Sequence, residues 1–289
     1  MPAKNNHITR LIKLCFCFAI ALPTTSHATP ASQSAENSHT EAQTTYLSDG
    51  SAINKAGRQR MLSERIVKAY IQLSLEVDLQ KAQQQFIQAQ QLFKQQLQEL
   101  KNYAPTNNIA HHLDNVDQQW EKVSRIISKT PSIEMIPILI PLGEELVARC
   151  HQVVLDIERF SGSSSAVLVN VSGRQRMLSQ RIAKYYFAHL SGQRHGNTIV
   201  RFETSLLEFE QGLQKLSNAP ENSAAIGKAL GKVKAQLIFA KYGFKGLKDG
   251  TYTPHVISRT TESMLKRMEN ITQQYENLHN ELNNQQQPS

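Results

Sequence analysis

Two arginines occupy equivalent positions of a segment that occurs twice in the chain, and both are placed for anion chemistry. Residues 53–70 (INKAGRQRMLSERIVKAY) and residues 169–186 (VNVSGRQRMLSQRIAKYY) are identical at 12 of 18 positions, with a constant offset of 116. On a helix that advances about 100° per residue, Arg60 and Arg176 lie at the centres of equivalent strips of apolar and small residues. The strips are Ile53, Ala56, Gly57, Arg60, Ser63 and Val67 in the first copy, and Val169, Ser172, Gly173, Arg176, Ser179 and Ala183 in the second.

A guanidinium on an apolar helix face must be neutralised, because an unpaired buried charge is expensive. The counter-ion can be a carboxylate of the protein or a bound anion. Glu64 lies one turn after Arg60, but its counterpart in the second copy is the neutral Gln180. A small planar oxyanion matches two N–H donors of a guanidinium. If the two helices face each other, the arginines repel unless an anion lies between them, so helix association would depend on ligand.

Small and charged neighbours complete the candidate site. Ser63 and Ser179 lie one turn from the arginines and leave room beside the guanidinium groups. Four more arginines lie on a different flank, where they raise the local positive potential or pair with acids of neighbouring helices: Arg58, Arg65, Arg174 and Arg181. The alternative interpretation of the whole cluster is a structural salt-bridge network without a ligand.

The repeat extends along the chain and predicts an all-α fold of two tandem up-down four-helix bundle modules, residues 45–161 and 162–282. At the same offset, Phe86, Phe93, Leu97 and Leu100 recur as Phe202, Phe209, Leu213 and Leu216. With a slip of two residues, Leu146, Arg149 and Val153 match Met264, Arg267 and Ile271.

Each module contains four apolar stretches with helical periodicity, and none alternates as a strand would. The first module predicts helices at about 47–79, 81–103, 107–129 and 133–160, and the second predicts breaks at 191–192, 218–220 and 246–254. Pro137 and Pro141 favour a later start of the fourth helix, near Leu142. The link 161–165 either turns the chain into a fifth helix parallel to the first, giving a monomer with an internal pseudo-dimer, or continues as one helix, leaving a homodimer to form the sites.

The ends of the chain predict export. Residues 1–28 combine a basic start, an apolar core at 14–22 and a small-residue cleavage pattern, which is typical of a secretory signal peptide and predicts a periplasmic protein. The alternative is an uncleaved segment that anchors the chain in the inner membrane. Residues 29–44 and 283–289 are polar and are predicted to be disordered. Without the signal the net charge falls from +8 to about +5, which suits a small anion, and export excludes nucleic acid as a partner.

Other chemistries lack their sequence signatures. The chain has no phosphate-binding glycine loop, no nucleophile elbow and no paired acid and base, so we expect neither an enzyme nor a cofactor. The pairs His111-His112 and Cys150-His151 lack the spacing of a metal site, so no metal is expected. Cys150, the one cysteine outside the signal, and Trp120, the one tryptophan, are predicted to be buried, and the alternative for Cys150 is an intermolecular disulfide.

The run from Asn54 to Arg65 resembles the P-box of the nitrate/nitrite sensor kinases NarX and NarQ, and more closely the N-terminal module of PilJ-type chemotaxis transducers. The resemblance implies a periplasmic four-helix module that holds nitrate or nitrite at a helix–helix interface. It assigns the ligand to the arginine before the methionine, here Arg60 and Arg176. The matching motif adds Gly57, Gly173, Asn54, Asn170 and Lys55 to the predicted ligand site, although Val171 replaces the lysine in the second copy.

The resemblance also bears on partners. Proteins of this family continue into a membrane helix and a signalling domain, neither of which this sequence displays. We therefore expect its output to pass through a membrane signalling protein. The alternative is a ligand-free helical adaptor for a membrane chemotaxis, two-component or pilus-associated partner.

Overall fold

The computed structural model describes residues 47–192 and 197–286, so the predicted signal peptide, the whole lead-in and the last three residues of the tail lie outside the described residues. Within those ranges the structure is all-α, as predicted, and contains no strand. The helices are α1 (Asp49–Ser74), α2 (Leu79–Tyr103), α3 (Asn107–Ile127), α4 (Ile136–Ser161), α5 (Ser164–Leu190), α6 (Thr198–Ser217), α7 (Ala224–Asp249) and α8 (Pro254–Gln286). A short 3-10 helix, Ile133–Met135, precedes α4.

Four predicted boundaries were wrong. α1 ends at Ser74 and not near residue 79, since Glu76 and Asp78 have positive φ angles (57° and 51°) that interrupt a helix. The tail, predicted to be disordered from residue 283, continues α8 as far as Gln286.

The other two boundaries belong to α4 and α7. α4 begins at Ile136 and not near Leu142, because Pro137 lies in the first turn, where a helix needs no N–H from that residue. The helix continues through Pro141 despite the missing donor. The third break of the second half begins at Gly250 and not at Gly246, since Gly250 adopts the left-handed conformation (φ 74°) that ends α7.

The eight helices form two similar sets that meet along α1 and α5. In the first set α1 packs on α2 and α4, and α3 packs on α4; in the second α5 packs on α6 and α8, and α7 packs on α8. α1 and α5 pack along each other, and α8 also touches α1 while α4 touches α5. Residues Thr45–Ser289 therefore form one compact unit, and the division into modules at 161–162 stays a prediction.

The link between the two sets is a turn and not a continuous helix. Gly162 ends α4 in the left-handed conformation (φ 63°), and Ser163 is extended before α5 begins. Gly57 lies against Gly173, and farther along Glu64 pairs with Arg181. α1 and α5 therefore run in the same direction, in the register of the sequence repeat, within one chain.

The core holds the two residues that were predicted to be buried. Trp120 is 5% exposed and stacks on Phe93 with ring centroids 4.5 Å apart. Cys150 is 1% exposed and unpaired. Each large apolar side chain buried in this way contributes roughly 1.5–3 kcal/mol. Among the described residues, no helix is both long and apolar enough to cross a bilayer.

We predict that Gly143→Ala destabilises the protein, because α4 lies too close to α1 for a methyl group. A Cβ on Gly143 would come within 2.6 Å of the Cγ2 atom of the buried Val67, whose branched side chain has little rotational freedom. We expect a loss of about 1–3 kcal/mol in the free energy of unfolding, measured with urea. The control is Gly231→Ala on α7, where a Cβ would meet open space, and we expect it to stabilise by about 0.5–1 kcal/mol. Equal effects of the two substitutions would contradict the close contact.

Candidate functional site

The predicted site lies where α1 and α5 approach each other through two glycines. A Cβ built on Gly57 would lie 3.9 Å from the Cα of Gly173, and the reverse distance is the same. The same point on Gly57 is 3.3 Å from Nη2 of Arg60 and 3.4 Å from Nη2 of Arg176. The two glycines therefore let the helix backbones approach and leave space for both guanidinium groups, which the structure brings together.

Arg60 is fully buried (0% exposed), and its hydrogen-bond partners are all neutral acceptors. Its Nη2 donates to the side-chain oxygen of Asn170 at 2.8 Å and to the main-chain oxygen of the same residue at 3.3 Å. Its Nη1 lies 3.0 Å from Nδ1 of His151 on α4, and its Nε has no partner among the described residues. Burial, followed by the charges of Arg174 and Arg176, lowers the pKa of Arg60 to about 9.

Arg176 is equally buried but has an acidic partner. Its Nη1 donates to Glu269 on α8 at 2.9 Å, and its Nη2 donates to the main-chain oxygen of Asn54 at 3.1 Å. Glu269 also pairs with Arg58. Burial tends to raise the pKa of Glu269, but Arg176 and Arg58 outweigh it and hold this pKa below its ordinary value. Glu269 is therefore ionised at neutral pH and compensates the charge of Arg176.

Both asparagines lie beside the arginines of the opposite helix. Asn170 accepts from Arg60 and donates to Glu158, with 2.6 Å between Nδ2 and the carboxylate oxygen. Asn54 presents its main-chain oxygen to Arg176 and donates to Glu276. Since Glu158 and Glu276 are related by the offset of 118 that relates α4 to α8, the two halves of the site share this design.

The predicted lysine is not part of this group. Lys55 pairs with Glu99 on α2 at 2.6 Å, and its side chain is 27% exposed. The two predicted serines are buried beside the arginines but bond to their own helices. Ser63 donates to the main-chain oxygen of Gln59 at 2.8 Å, and Ser179 donates to that of Arg176 at 2.7 Å.

The four flanking arginines all pair with carboxylates of other helices. Their partners are Glu269 for Arg58, Glu262 for Arg65, Glu208 for Arg174 and Glu64 for Arg181. Of the two roles predicted for these arginines, pairing with acids is therefore the one that the structure displays. Glu64 does not neutralise Arg60, because its carboxylate pairs with Arg181 and Lys184 on the opposite helix, α5.

Sequence reasoning missed the site residues on α4 and α8 and the buried lysines Lys68 and Lys184. His151 and Glu269 are related by the offset of 118 that aligns Arg149 with Arg267, so that alignment could have found them. Lys68 lies about two helical turns after Arg60 on α1, and it donates to Glu262 at 2.8 Å and to Gln180 at 2.9 Å. Burial lowers the pKa of Lys68 to about 8, although Glu262 opposes the shift.

The arrangement is suited to holding charge and not to covalent chemistry. Burial raises the pKa of the Cys150 thiol to about 12, which makes it a poor nucleophile. Within residues 47–192 and 197–286, no group of three or more His, Cys, Asp or Glu could hold a metal ion. What the interface offers is two buried guanidinium groups, of which one has no carboxylate at hydrogen-bond distance.

We predict that removing the two arginines changes the free energy of unfolding by different amounts. Arg176→Met should lower the free energy of unfolding by about 1–3 kcal/mol, because Glu269 loses its buried partner. Arg60→Met should change it by less than about 1 kcal/mol, because the substitution removes a desolvated charge that has no carboxylate partner. Urea unfolding of both variants measures the difference. A larger loss for Arg60→Met would show that this arginine is neutralised within the protein.

We predict that His151 makes the protein less stable in mild acid. Burial, followed by the charges of Arg60 and Arg174, lowers the pKa of His151 to about 4 from an ordinary value of 6.5. The unfolded chain then takes up the proton first, so stability is fully present above about pH 6.5 and falls as pH decreases towards 4.

In urea unfolding across this pH range, His151→Gln should lose less stability than the wild type. The matched control is His111→Gln at an exposed position of α3, which should follow the wild type. Parallel curves for wild type and His151→Gln would contradict the prediction.

The comparison with known families agrees with this architecture. The family model described as type IV pili methyl-accepting chemotaxis transducer N-term matches residues 43–135 and 160–238. No curated protein and no solved structure gives a significant match. Domains of this family are non-enzymatic, periplasmic sensory modules of membrane transducers. Because the matched segments cover more than half of the chain, it belongs to the PilJ family of chemotaxis transducer N-terminal domains.

Proposed function

We propose that this chain is a periplasmic sensory module that binds a small oxyanion such as nitrate or nitrite between α1 and α5. The observation that carries the proposal is Arg60, which is fully buried and has only neutral acceptors around it. An isolated charge in such a place is unfavourable by several kcal/mol, and a bound anion would remove this penalty.

The charges around the site also favour an anion. Arg58 and Arg176 share the carboxylate of Glu269, and Arg60 has no carboxylate at hydrogen-bond distance among the described residues, so this part of the interface carries an excess of positive charge. Nη1 and Nη2 of Arg60 face acceptors that are neutral, and its Nε has no partner. A planar oxyanion could accept two of these N–H groups at once and would bring the opposite charge with it.

Ligand binding at this place would be coupled to movement of the helices. Arg60 and Arg176 are both 0% exposed and lie among α1, α4, α5 and α8, so an anion can reach them only if these helices separate or shift. A ligand that binds one arrangement of α1 and α5 better than another changes the population of the two. The helix pair would thereby pass the signal to a membrane signalling partner.

The second candidate function is that of a ligand-free helical adaptor. The observation that favours it is the closed interface, in which Arg176 already has Glu269 and the glycines lie in contact. In this case the arginines would only hold the two halves together, and the partner would recognise the outer surface of the helices.

We predict that nitrate or nitrite binds the protein and raises its thermal stability. Titration calorimetry measures the binding, and thermal unfolding at about a hundredfold excess over the dissociation constant should show stabilisation of about 2.7 kcal/mol. Chloride at the same ionic strength controls for salt effects.

Arg60→Met should strongly reduce both signals, because the oxyanion loses the guanidinium group that donates to it. Arg125→Met, which removes an arginine that is 76% exposed on α3, should leave both unchanged. Absence of heat and of stabilisation with either oxyanion at millimolar concentration would favour the adaptor.

A further inference from the structure

We propose that Glu269 permanently takes the place of the anion beside Arg176, so that the chain binds one external anion, beside Arg60, and not two. This inference rests on the proposed function and assigns different roles to the two copies of the repeated segment. We call the surroundings of Arg60 the first half of the site and those of Arg176 the second half. The neutral His151 leaves the charge of Arg60 for a ligand to neutralise, whereas Glu269 neutralises Arg176.

The two halves of the site are otherwise built alike. Each has a buried arginine, a glycine at the helix contact, a serine one turn away and an asparagine of the opposite helix. In both halves that asparagine donates its amide to a glutamate, which is Glu158 for Asn170 and Glu276 for Asn54. Because the glycine, serine and asparagine are the same in both halves, a residue that differs between the halves points to a difference in their function.

The clearest difference falls on one pair of equivalent atoms. Nη1 of Arg176 donates to Glu269 at 2.9 Å, and Nη1 of Arg60 lies 3.0 Å from the His151 ring. The offset of 118 between α4 and α8 makes His151 and Glu269 equivalent positions of the repeat. The same guanidinium nitrogen thus faces a negative carboxylate in one half and a neutral ring in the other.

Glu269 has the chemistry of the ligand that it would replace. A carboxylate, like nitrate, is planar, carries one negative charge and presents equivalent oxygens to a guanidinium. One oxygen of Glu269 binds Arg176 and the other binds Arg58. In the first half Arg174, the counterpart of Arg58, is drawn to Glu208 on α6 instead. Among the described residues, no carboxylate therefore bridges Arg60 and Arg174.

The test transfers anion binding from one arginine to the other. In wild-type protein, nitrate titration should give one site, and Arg60→Met should weaken the affinity by about 100-fold. Adding Glu269→Gln to Arg60→Met should restore binding to within about tenfold of the wild type, because Arg176 then lacks its internal anion. The control double variant combines Arg60→Met with Glu210→Gln, which removes a paired carboxylate of similar exposure (40%, against 35% for Glu269) and should restore nothing.

The reciprocal variant closes the first half. His151→Glu should raise the thermal midpoint without ligand, because the new carboxylate neutralises Arg60, and it should abolish nitrate binding although Arg60 is intact. This variant also decides the matter if the double variant does not fold, as judged by circular dichroism.

The outcomes separate this inference from the function on which it rests. A wild type that binds one nitrate, together with a double variant that folds and binds none, would overturn the role of Glu269 and leave the proposed function standing. Two nitrate sites in the wild type would do the same. A wild type without binding, together with a Glu269→Gln single variant that nitrate stabilises, would refute the site at Arg60 and support Glu269 as the internal anion.

Discussion

Two guanidinium groups buried in one helix–helix interface are the constraint that organises this molecule. Their desolvation costs several kcal/mol each unless nearby groups compensate. Gly57 and Gly173 meet this constraint sterically, because they let the helix backbones approach while leaving space for both groups. Asn54 and Asn170 meet it by supplying oxygens from the opposite helix. The glycines and asparagines around the arginines therefore replace the space and the hydrogen bonds that water would provide.

The tandem repeat gives this constraint two different solutions in one chain. α1 and α5 lie side by side in the register of the repeat, so Arg60 and Arg176 each lie beside a glycine, a serine and an asparagine of equivalent positions. The fourth and eighth helices break that equivalence by contributing His151 to one arginine and Glu269 to the other. A chain with two independent copies can change one partner alone, which an assembly of identical chains cannot do.

The sequence predicts the all-α fold and the site residues on α1 and α5, but not those on α4 and α8. Helical periodicity and the strip around Arg60 depend on residues within a few turns, so they predict the helices and the buried face correctly. Partners from distant helices depend on register, and a slip of two residues separates the α4–α8 alignment from that of α1 and α5. His151 and Glu269 were therefore missed, and Lys55 was included on its motif alone although α2 holds it through Glu99.

The fold does not require a charged side chain at the position of Arg60, which suggests that the charge serves the sensory function. An apolar side chain of similar length would pack there without a desolvated charge, and such replacements are often neutral or stabilising. A cation kept without a carboxylate makes the closed arrangement of α1 and α5 less favourable than it could be. An anion that relieves this cost binds one helix arrangement in preference to another, and that difference in affinity is the quantity that shifts a conformational equilibrium. Marginal stability at Arg60 would thus be the source of the response and not a defect of packing.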